Sequence, residues 1–208
     1  MLPMQIWDQI PLRERRDLLV AWLALSAAFT LAMVWGQRLD PLIIGQFFVI
    51  SLVTAGIAFI IHEMAHKFTA MKYGYWAEFQ MNSMMLVVAV AMAALAGIVF
   101  AAPGATMIYG NQISREENGK ISLAGPVSNL LLIIPFAALA FLGHTPGLYL
   151  LAIIGVVGIK INAMIAAFNL LPIGPLDGAK ILAWNPAVFA GVFLIAFGIL
   201  FGSLSGFF

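Results

Sequence analysis

Residues 60–67 read I-I-H-E-M-A-H-K, and they lie at the end of an apolar run that begins at residue 41. On a helix, positions i and i+4 lie on one face about 6 Å apart, so His62 and His66 can occupy two corners of one tetrahedral zinc site. Glu63 stands roughly 100° around the helix axis from His62, where it can reach a water held by the metal and act as general base. Because ionisable groups inside a span are costly and mark function by default, the stretch predicts a metal site within a membrane helix.

The composition around this stretch is that of a membrane protein. The chain has 208 residues, of which 63% are hydrophobic and 9% are charged, whereas roughly 25% of the residues in a soluble domain are charged. Too few polar residues remain to cover a water-soluble monomer, and a net charge of +1 gives no basic surface for nucleic acid. The absence of cysteine excludes disulfides, thiolate metal sites and a cysteine nucleophile. We expect an integral, multi-pass protein of the lipid bilayer that binds no nucleic acid.

The positions of the charges and of the Gly/Pro turns place the membrane spans. A span needs about 20 mostly apolar residues. The sequence predicts helices near 18–36, 42–71, 120–142, 148–171 and 187–205. The fold class is therefore an all-α polytopic membrane protein with about five to six transmembrane helices. Residues 1–208 are expected to form a single domain, with a core over 42–182 and accessory helices at 17–36 and 184–206.

The histidine pair needs a third ligand, because a catalytic zinc usually has three protein ligands and one open position. His144 lies in a Gly/Pro turn and cysteine is absent, which leaves a carboxylate. Most acidic residues outside the motif, Glu14 and Asp17 among them, stand in polar terminal or loop segments. Asp177 alone lies in an apolar context, in N-L-L-P-I-G-P-L-D-G (169–178). Open backbone at the end of a span is tolerated when it is buried or lines a cavity, so Asp177 is the predicted third ligand.

The apolar run before the third predicted helix is ambiguous, and the metal site decides how it folds. Residues 84–100 are apolar enough to cross the membrane, but a Pro-Gly pair ends any helix there and a short strand follows. The histidines and Asp177 lie at the ends of their helices, so these helices must run in the same direction, with an odd number of crossings between them. We therefore predict a re-entrant element over 79–110 that returns as a strand near 100–110. The alternative is six full spans with the ligands arranged otherwise.

Three sequence blocks together resemble the site-2 proteases, a family of zinc-dependent intramembrane metalloproteases. The blocks are, in order, H-E-x-x-H (62–66), A-G-P-x-x-N (124–129) and F-N-L-L-P-x-x-P-L-D-G (168–178). The resemblance implies that His62, His66 and Asp177 hold one Zn²⁺ ion. It also implies that Glu63 is the catalytic base and that Asn169 positions the substrate carbonyl or its oxyanion.

We therefore expect a zinc metalloendopeptidase, in the minimal form of the family without a PDZ or CBS domain. It would hydrolyse peptide bonds in transmembrane or membrane-proximal segments of membrane-protein substrates, as in regulated intramembrane proteolysis. The alternative is a transporter that uses the same polar cluster to carry metal ions or protons. Arg13, Arg15 and Arg16 favour a cytoplasmic N-terminus in the cell membrane, with the active site near the cytoplasmic side. Lys160, in the middle of the fourth helix, is expected to face a cavity or a carboxylate.

Overall fold

The computed structural model describes residues 9–99, 103–110 and 112–205. Within these ranges the chain is mostly helical, with one small two-stranded sheet. The helices are, in chain order, α1 (Leu12–Met33), α2 (Pro41–Ser51), α3 (Ile57–Lys72), α4 (Ser83–Ala96), α5 (Arg115–Leu142), α6 (Tyr149–Asn169), α7 (Asp177–Trp184) and α8 (Pro186–Leu204). The strands are β1 (Trp76–Met81) and β2 (Gly104–Tyr109).

Five helices in the described part of the chain are long and apolar enough to cross a membrane. They are Leu12–Met33, Pro41–Lys72, Arg115–Leu142, Tyr149–Asn169 and Pro186–Leu204. The second of these combines α2 and α3, because the π-helical turn Leu52–Gly56 joins them without a break. This arrangement confirms the predicted all-α polytopic fold. The spans also occur in the predicted places, except that α1 and α5 begin earlier in the chain than expected.

Polar side chains at helix starts explain part of this difference. The Ser114 hydroxyl accepts a hydrogen bond from the Glu117 backbone N–H at 3.1 Å, and the Glu117 carboxylate accepts one from the Ser114 N–H at 2.9 Å. This capping box starts α5 before the predicted residue 120. Likewise, the Asp40 carboxylate accepts from the Leu42 N–H at 2.7 Å and starts α2. Charge-free runs therefore underestimate the length of a span whose first turn is polar.

The segment between α3 and α5 forms a re-entrant element. β1 and β2 pair antiparallel, with Met81 opposite Gly104, so the chain leaves and returns at the same end of the sheet. The intervening helix α4 has 14 residues, about 21 Å at 1.5 Å per residue, which is shorter than the roughly 30 Å hydrocarbon core. The predicted strand near 100–110 is confirmed as β2, although residues 100–102 of that range lie outside the described residues. β1 was not predicted, because its six residues include Glu78 and resemble a loop.

Two carboxylates of α1 hold the outer edge of β1. Glu14 accepts a hydrogen bond from the Phe79 N–H at 2.9 Å and forms a buried ion pair with Lys67 of α3. Asp17 accepts one from the Met81 N–H at 3.4 Å. The placement of Glu14 and Asp17 in a polar terminal segment is therefore wrong, since both are buried within α1. Backbone donors and the ammonium compensate for the lost hydration, which allows the helix to begin before residue 18.

The short helix α7, which was not predicted, packs directly against the end of α6. A Cβ at Gly178 would lie 2.2 Å from the Leu170 carbonyl oxygen, so only glycine permits this approach. Pro172 and Pro175 lie in the turn between the two helices and cannot continue α6. The contact places Asp177, the first residue of α7, beside the end of α6.

Candidate metal centre

The two histidines of α3 direct their Nε2 atoms at the same point. His62 and His66 lie about one turn apart on α3, and both are buried. Their Nε2 atoms are 3.0 Å apart, and the ring planes meet at 84°. The i, i+4 spacing therefore places two nitrogen donors together, as the sequence predicted.

Asp177 completes a group of three potential metal ligands. Its Oδ2 lies 3.4 Å from the Nε2 of His62 and 3.2 Å from the Nε2 of His66. All three residues are buried, and their donor atoms lie close enough to hold one metal ion. Two ligands of a tetrahedral zinc, each about 2.0–2.1 Å from the ion, are roughly 3.3 Å apart. The three observed separations fit that value, so the predicted ligands meet in a geometry that suits zinc.

A chain of buried amides determines which nitrogen of His62 carries the proton. The Asn162 Nδ2 donates to the Gly158 carbonyl at 2.9 Å, so its Oδ1 is an acceptor. The Asn129 Nδ2 donates to that oxygen and to the Ala58 carbonyl, both at 3.1 Å. The Asn129 Oδ1 is then the acceptor that lies 2.6 Å from the His62 Nδ1. His62 therefore carries its proton on Nδ1 and presents Nε2 to the ligand group.

His66 is oriented in the same way by the backbone of α5. Its Nδ1 lies 2.8 Å from the Ile121 carbonyl oxygen, which can only accept a hydrogen bond, so Nδ1 again donates. Two Nε2 atoms and a carboxylate thus converge in a buried space, and only a cation makes this arrangement favourable. One proton satisfies two of the three atoms, whereas a metal ion satisfies all three.

α5 leaves space for an ion because it approaches the ligand group with a glycine. A Cβ at Gly125 would lie 2.4 Å from the Nε2 of His66 and 2.6 Å from the Nε2 of His62, against both histidine donor atoms. Neither Gly125 nor Asn129 was predicted as a site residue. Both belong to the A-G-P-x-x-N block (124–129), where a glycine and an amide four residues apart on one helix face were the available signal.

Glu63 lies beside the ligand group and is held by β2. The backbone N–H and the hydroxyl of Thr106 donate to the Glu63 Oε2 at 3.0 Å and 2.9 Å. The hydroxyl also lies 3.1 Å from the Glu63 carbonyl oxygen. The returning strand therefore positions the predicted base. Thr106 was missed, because a single threonine in a short strand carries no signal of its own.

A cavity of about 440 Å³ adjoins the ligand group. It is lined by residues of α1, α3, α5, α6, α7 and β2, which include Glu63, Gly104, Thr106, Phe168 and Asn169. Asn169, which the family resemblance assigned to the substrate, lies in this wall, and its Nδ2 donates to the Ile165 carbonyl of its own helix at 3.0 Å. Lys180 also lines the cavity, with its Nζ 3.8 Å from the Asp177 Oδ1.

Lys160 is placed differently from the expectation. It is exposed on α6, whereas its neighbours Ile159 and Ile161 are buried. The ion pairs among the described residues join other side chains. Lys160 lies on the outward face of α6, and among the described residues it neither lines the cavity beside the ligand group nor pairs with a carboxylate, so the expectation that it faces a cavity or a carboxylate is not confirmed.

Comparison with known proteins finds relatives that are named as zinc metalloproteases. The chain is 44% identical over 153 residues to "Putative zinc metalloprotease MJ0611" of Methanocaldococcus jannaschii, a match that covers 74% of this chain and 79% of that protein. It is 30% identical over 156 residues to "Putative zinc metalloprotease YwhC" of Bacillus subtilis, which covers 68% and 70% of the two chains. "Zinc metalloprotease MJ0392" of Methanocaldococcus jannaschii is 26% identical over 142 residues, 65% of this chain and 34% of that protein. No family model and no solved structure matches the chain.

Proposed function

Because the chain belongs to the family of zinc metalloproteases that includes MJ0611 and YwhC, we propose that it is an intramembrane zinc endopeptidase of the site-2 protease type. The observation that carries the proposal is the convergence of His62, His66 and Asp177, with Glu63 one residue from the first ligand. Its substrates are membrane proteins, cleaved within or next to their transmembrane segments. The buried position of the ligand group in a chain of apolar helices supports this substrate class.

The ligand group and Glu63 divide the chemistry between them. His62, His66 and Asp177 would hold the zinc, which when bound supplies a Lewis acid that acidifies water and polarises a peptide carbonyl. The Glu63 carboxylate takes a proton from the attacking water and delivers it to the leaving amine, so it ends each turnover as it began. Thr106 engages the Oε2 of Glu63, which leaves Oε1 to accept the proton.

The outer edge of β2 is the proposed binding site for the substrate backbone. In an antiparallel pair, the backbone groups of alternate residues point away from the partner strand, and on β2 these residues are Gly104, Thr106 and Ile108, which all line the cavity. The N–H of Thr106 is already engaged by Glu63, so the substrate backbone would pair with Gly104 and Ile108. A transmembrane substrate helix hides its carbonyls in its own hydrogen bonds and must unwind before attack. Pairing with β2 offsets the lost bonds. Asn169, which lines the cavity, would donate the second N–H of its Nδ2 to the developing oxyanion, the first being held by the Ile165 carbonyl.

We also propose a cytoplasmic N-terminus in the cell membrane, with the site on the same side. Three arginines stand in the first two turns of α1, which favours the cytoplasm by the positive-inside rule. The ion pair of Glu14 with Lys67 ties this end of α1 to the residue that follows His66. The ligand group therefore lies near the end of α1 that carries the arginines.

The proposal is tested with the purified chain, zinc and a single-span test substrate. Cleavage is compared for the parent, Glu63→Gln and Glu116→Gln, the last an exposed carboxylate at the start of α5 that serves as the matched control. We expect Glu63→Gln and a zinc chelator to abolish cleavage, zinc to restore the chelated parent, and Glu116→Gln to cleave normally. Metal flux into vesicles that survives Glu63→Gln, without cleavage by the parent, would instead support the transporter.

A further inference from the structure

α6 presents one continuous outward stripe that ends at the cavity. Its residues recur at spacings of four or seven positions, which places them on one helix face, and each is exposed or half-buried: Tyr149, Ile153, Lys160, Met164 and Phe168. Val157 lies on the same face but packs against the core cluster that contains Phe29. Met164 and Phe168 also line the cavity beside the ligand group. A second helix that lies along this stripe would therefore be led to the ligand group.

Lys160 is the charged member of this stripe, and it lies in the middle of the span. At 1.5 Å per residue it is about 16 Å along the helix from Tyr149 and about 13 Å from Asn169. Its four-carbon stem is shorter than either distance, so its ammonium does not reach the membrane surface. An ammonium at this depth is costly unless a partner neutralises it.

Among the described residues, neither this chain nor a second copy of it supplies that partner. Within the described ranges, the acidic side chains that are not buried lie at the ends of spans or on β1; they are Asp40, Glu78, Glu116 and Glu117. A copy docked against the stripe would therefore present no carboxylate at the depth of Lys160. Headgroups of anionic lipids lie at the membrane surface and do not reach it either.

We infer that Lys160 selects substrates that carry an aspartate or glutamate within their transmembrane segment. The inference rests on the proposed function and names the substrate class of that site. Lys160 lies about 12 Å along α6 from Phe168 in the cavity wall, so the acidic side chain would stand several residues away from the scissile bond. Pairing neutralises both charges inside the lipid. Met164, which lies between these two residues on the stripe, adapts to varied apolar side chains of the substrate.

The test uses the zinc-loaded full chain in lipid vesicles with synthetic single-span substrates of one apolar sequence. The substrates differ at one position, which carries Glu, Gln or Lys. Across the series this position is moved outward, from about four residues to about nine residues away from the cleaved bond. These limits cover an extended and a helical path over the same distance. Cleavage is compared for the parent, Lys160→Met, Lys160→Glu and Lys72→Met. Lys72 is an exposed lysine at the end of α3, away from the stripe, and serves as the matched control.

At the favoured position, we expect the parent to cleave the Glu substrate with a kcat/KM roughly tenfold to 100-fold above that of the Gln substrate. Lys160→Met should remove this preference, Lys160→Glu should transfer it to the Lys substrate, and Lys72→Met should retain it. If Lys160→Glu does not fold, the Glu/Gln ratio of Lys160→Met decides. Equal cleavage of the Glu and Gln substrates by the parent at every position overturns the inference and leaves the proposed function intact. No cleavage of any substrate overturns both.

Discussion

Replacing Asn129 tests whether the amide chain behind His62 prepares the metal site. Asn129 is fully buried, and its Oδ1 is the acceptor for the His62 Nδ1–H at 2.6 Å. Asn129→Ala leaves that N–H without an acceptor, whereas Asn129→Asp keeps an acceptor and loses the amide donors. A buried donor without a partner costs about 1–3 kcal/mol. If the His62 tautomer with its proton on Nδ1 loses that much stabilisation, the zinc affinity falls roughly fivefold to 150-fold.

We therefore expect Asn129→Ala to weaken zinc binding by about tenfold to 100-fold, as loss of the groups that orient a metal ligand usually does. Asn129→Asp should bind zinc nearly as tightly as the parent. Both variants should unfold at lower temperature, because both lose the hydrogen bonds to Ala58 and Asn162. Both variants thus lose stability, but only Asn129→Ala loses zinc affinity. This difference distinguishes an orienting role of Asn129 from a purely structural one.

The assay is competition for zinc with a chelator of known affinity, at fixed pH in one detergent, together with thermal unfolding. Ser128→Ala is the matched control, because Ser128 precedes Asn129 on α5 and its hydroxyl donates to the Gly125 carbonyl rather than to the ligand group. Its zinc affinity should equal that of the parent. If Asn129→Ala binds zinc within about twofold of the parent, or if the Asp and Ala variants lose affinity equally, the argument about the proton on His62 is refuted.

Two further predictions concern the packing around the site. Gly125→Ala should abolish zinc binding, measured by metal analysis after gel filtration, because its methyl group would lie 2.4 and 2.6 Å from the two histidine Nε2 atoms and displace them. Gly191→Ala, whose Cβ meets no atom within 4 Å, is the control and should bind normally. Lys67→Met should lower the free energy of unfolding by about 3–5 kcal/mol, because it leaves the buried Glu14 unpaired. Adding Glu14→Gln should recover part of this loss in thermal unfolding, and a Lys67→Met variant as stable as the parent would contradict the reasoning.

The membrane topology could be predicted from the sequence because the three candidate ligands have to meet at one metal ion. The apolar runs left open whether residues 84–100 cross the membrane, and periodicity alone does not distinguish a crossing from a re-entrant helix. The requirement that Asp177 meet His62 decided the question, and the structure brings the two within 3.4 Å. The buried positions of Glu14 and Asp17 could not be predicted, because their partners are the backbone of β1 and a lysine from another helix.

The candidate ligands and the groups that orient them differ in how far a sequence reveals them. Imidazoles and a carboxylate in apolar segments are conspicuous, because their chemistry is out of place there. The helix that arranges them, α5, contributes none of the three ligands. It supplies an amide to His62, the Ile121 carbonyl to His66 and, at Gly125, the space between them. A backbone carbonyl, or the absent side chain of a glycine, gives no sequence signal of its role. The role becomes visible only when packing shows which residue it faces. A shift of α5 by a fraction of an ångström would therefore alter the hydrogen bonds and the orientation of both histidines at once, although no residue of the H-E-x-x-H motif had changed.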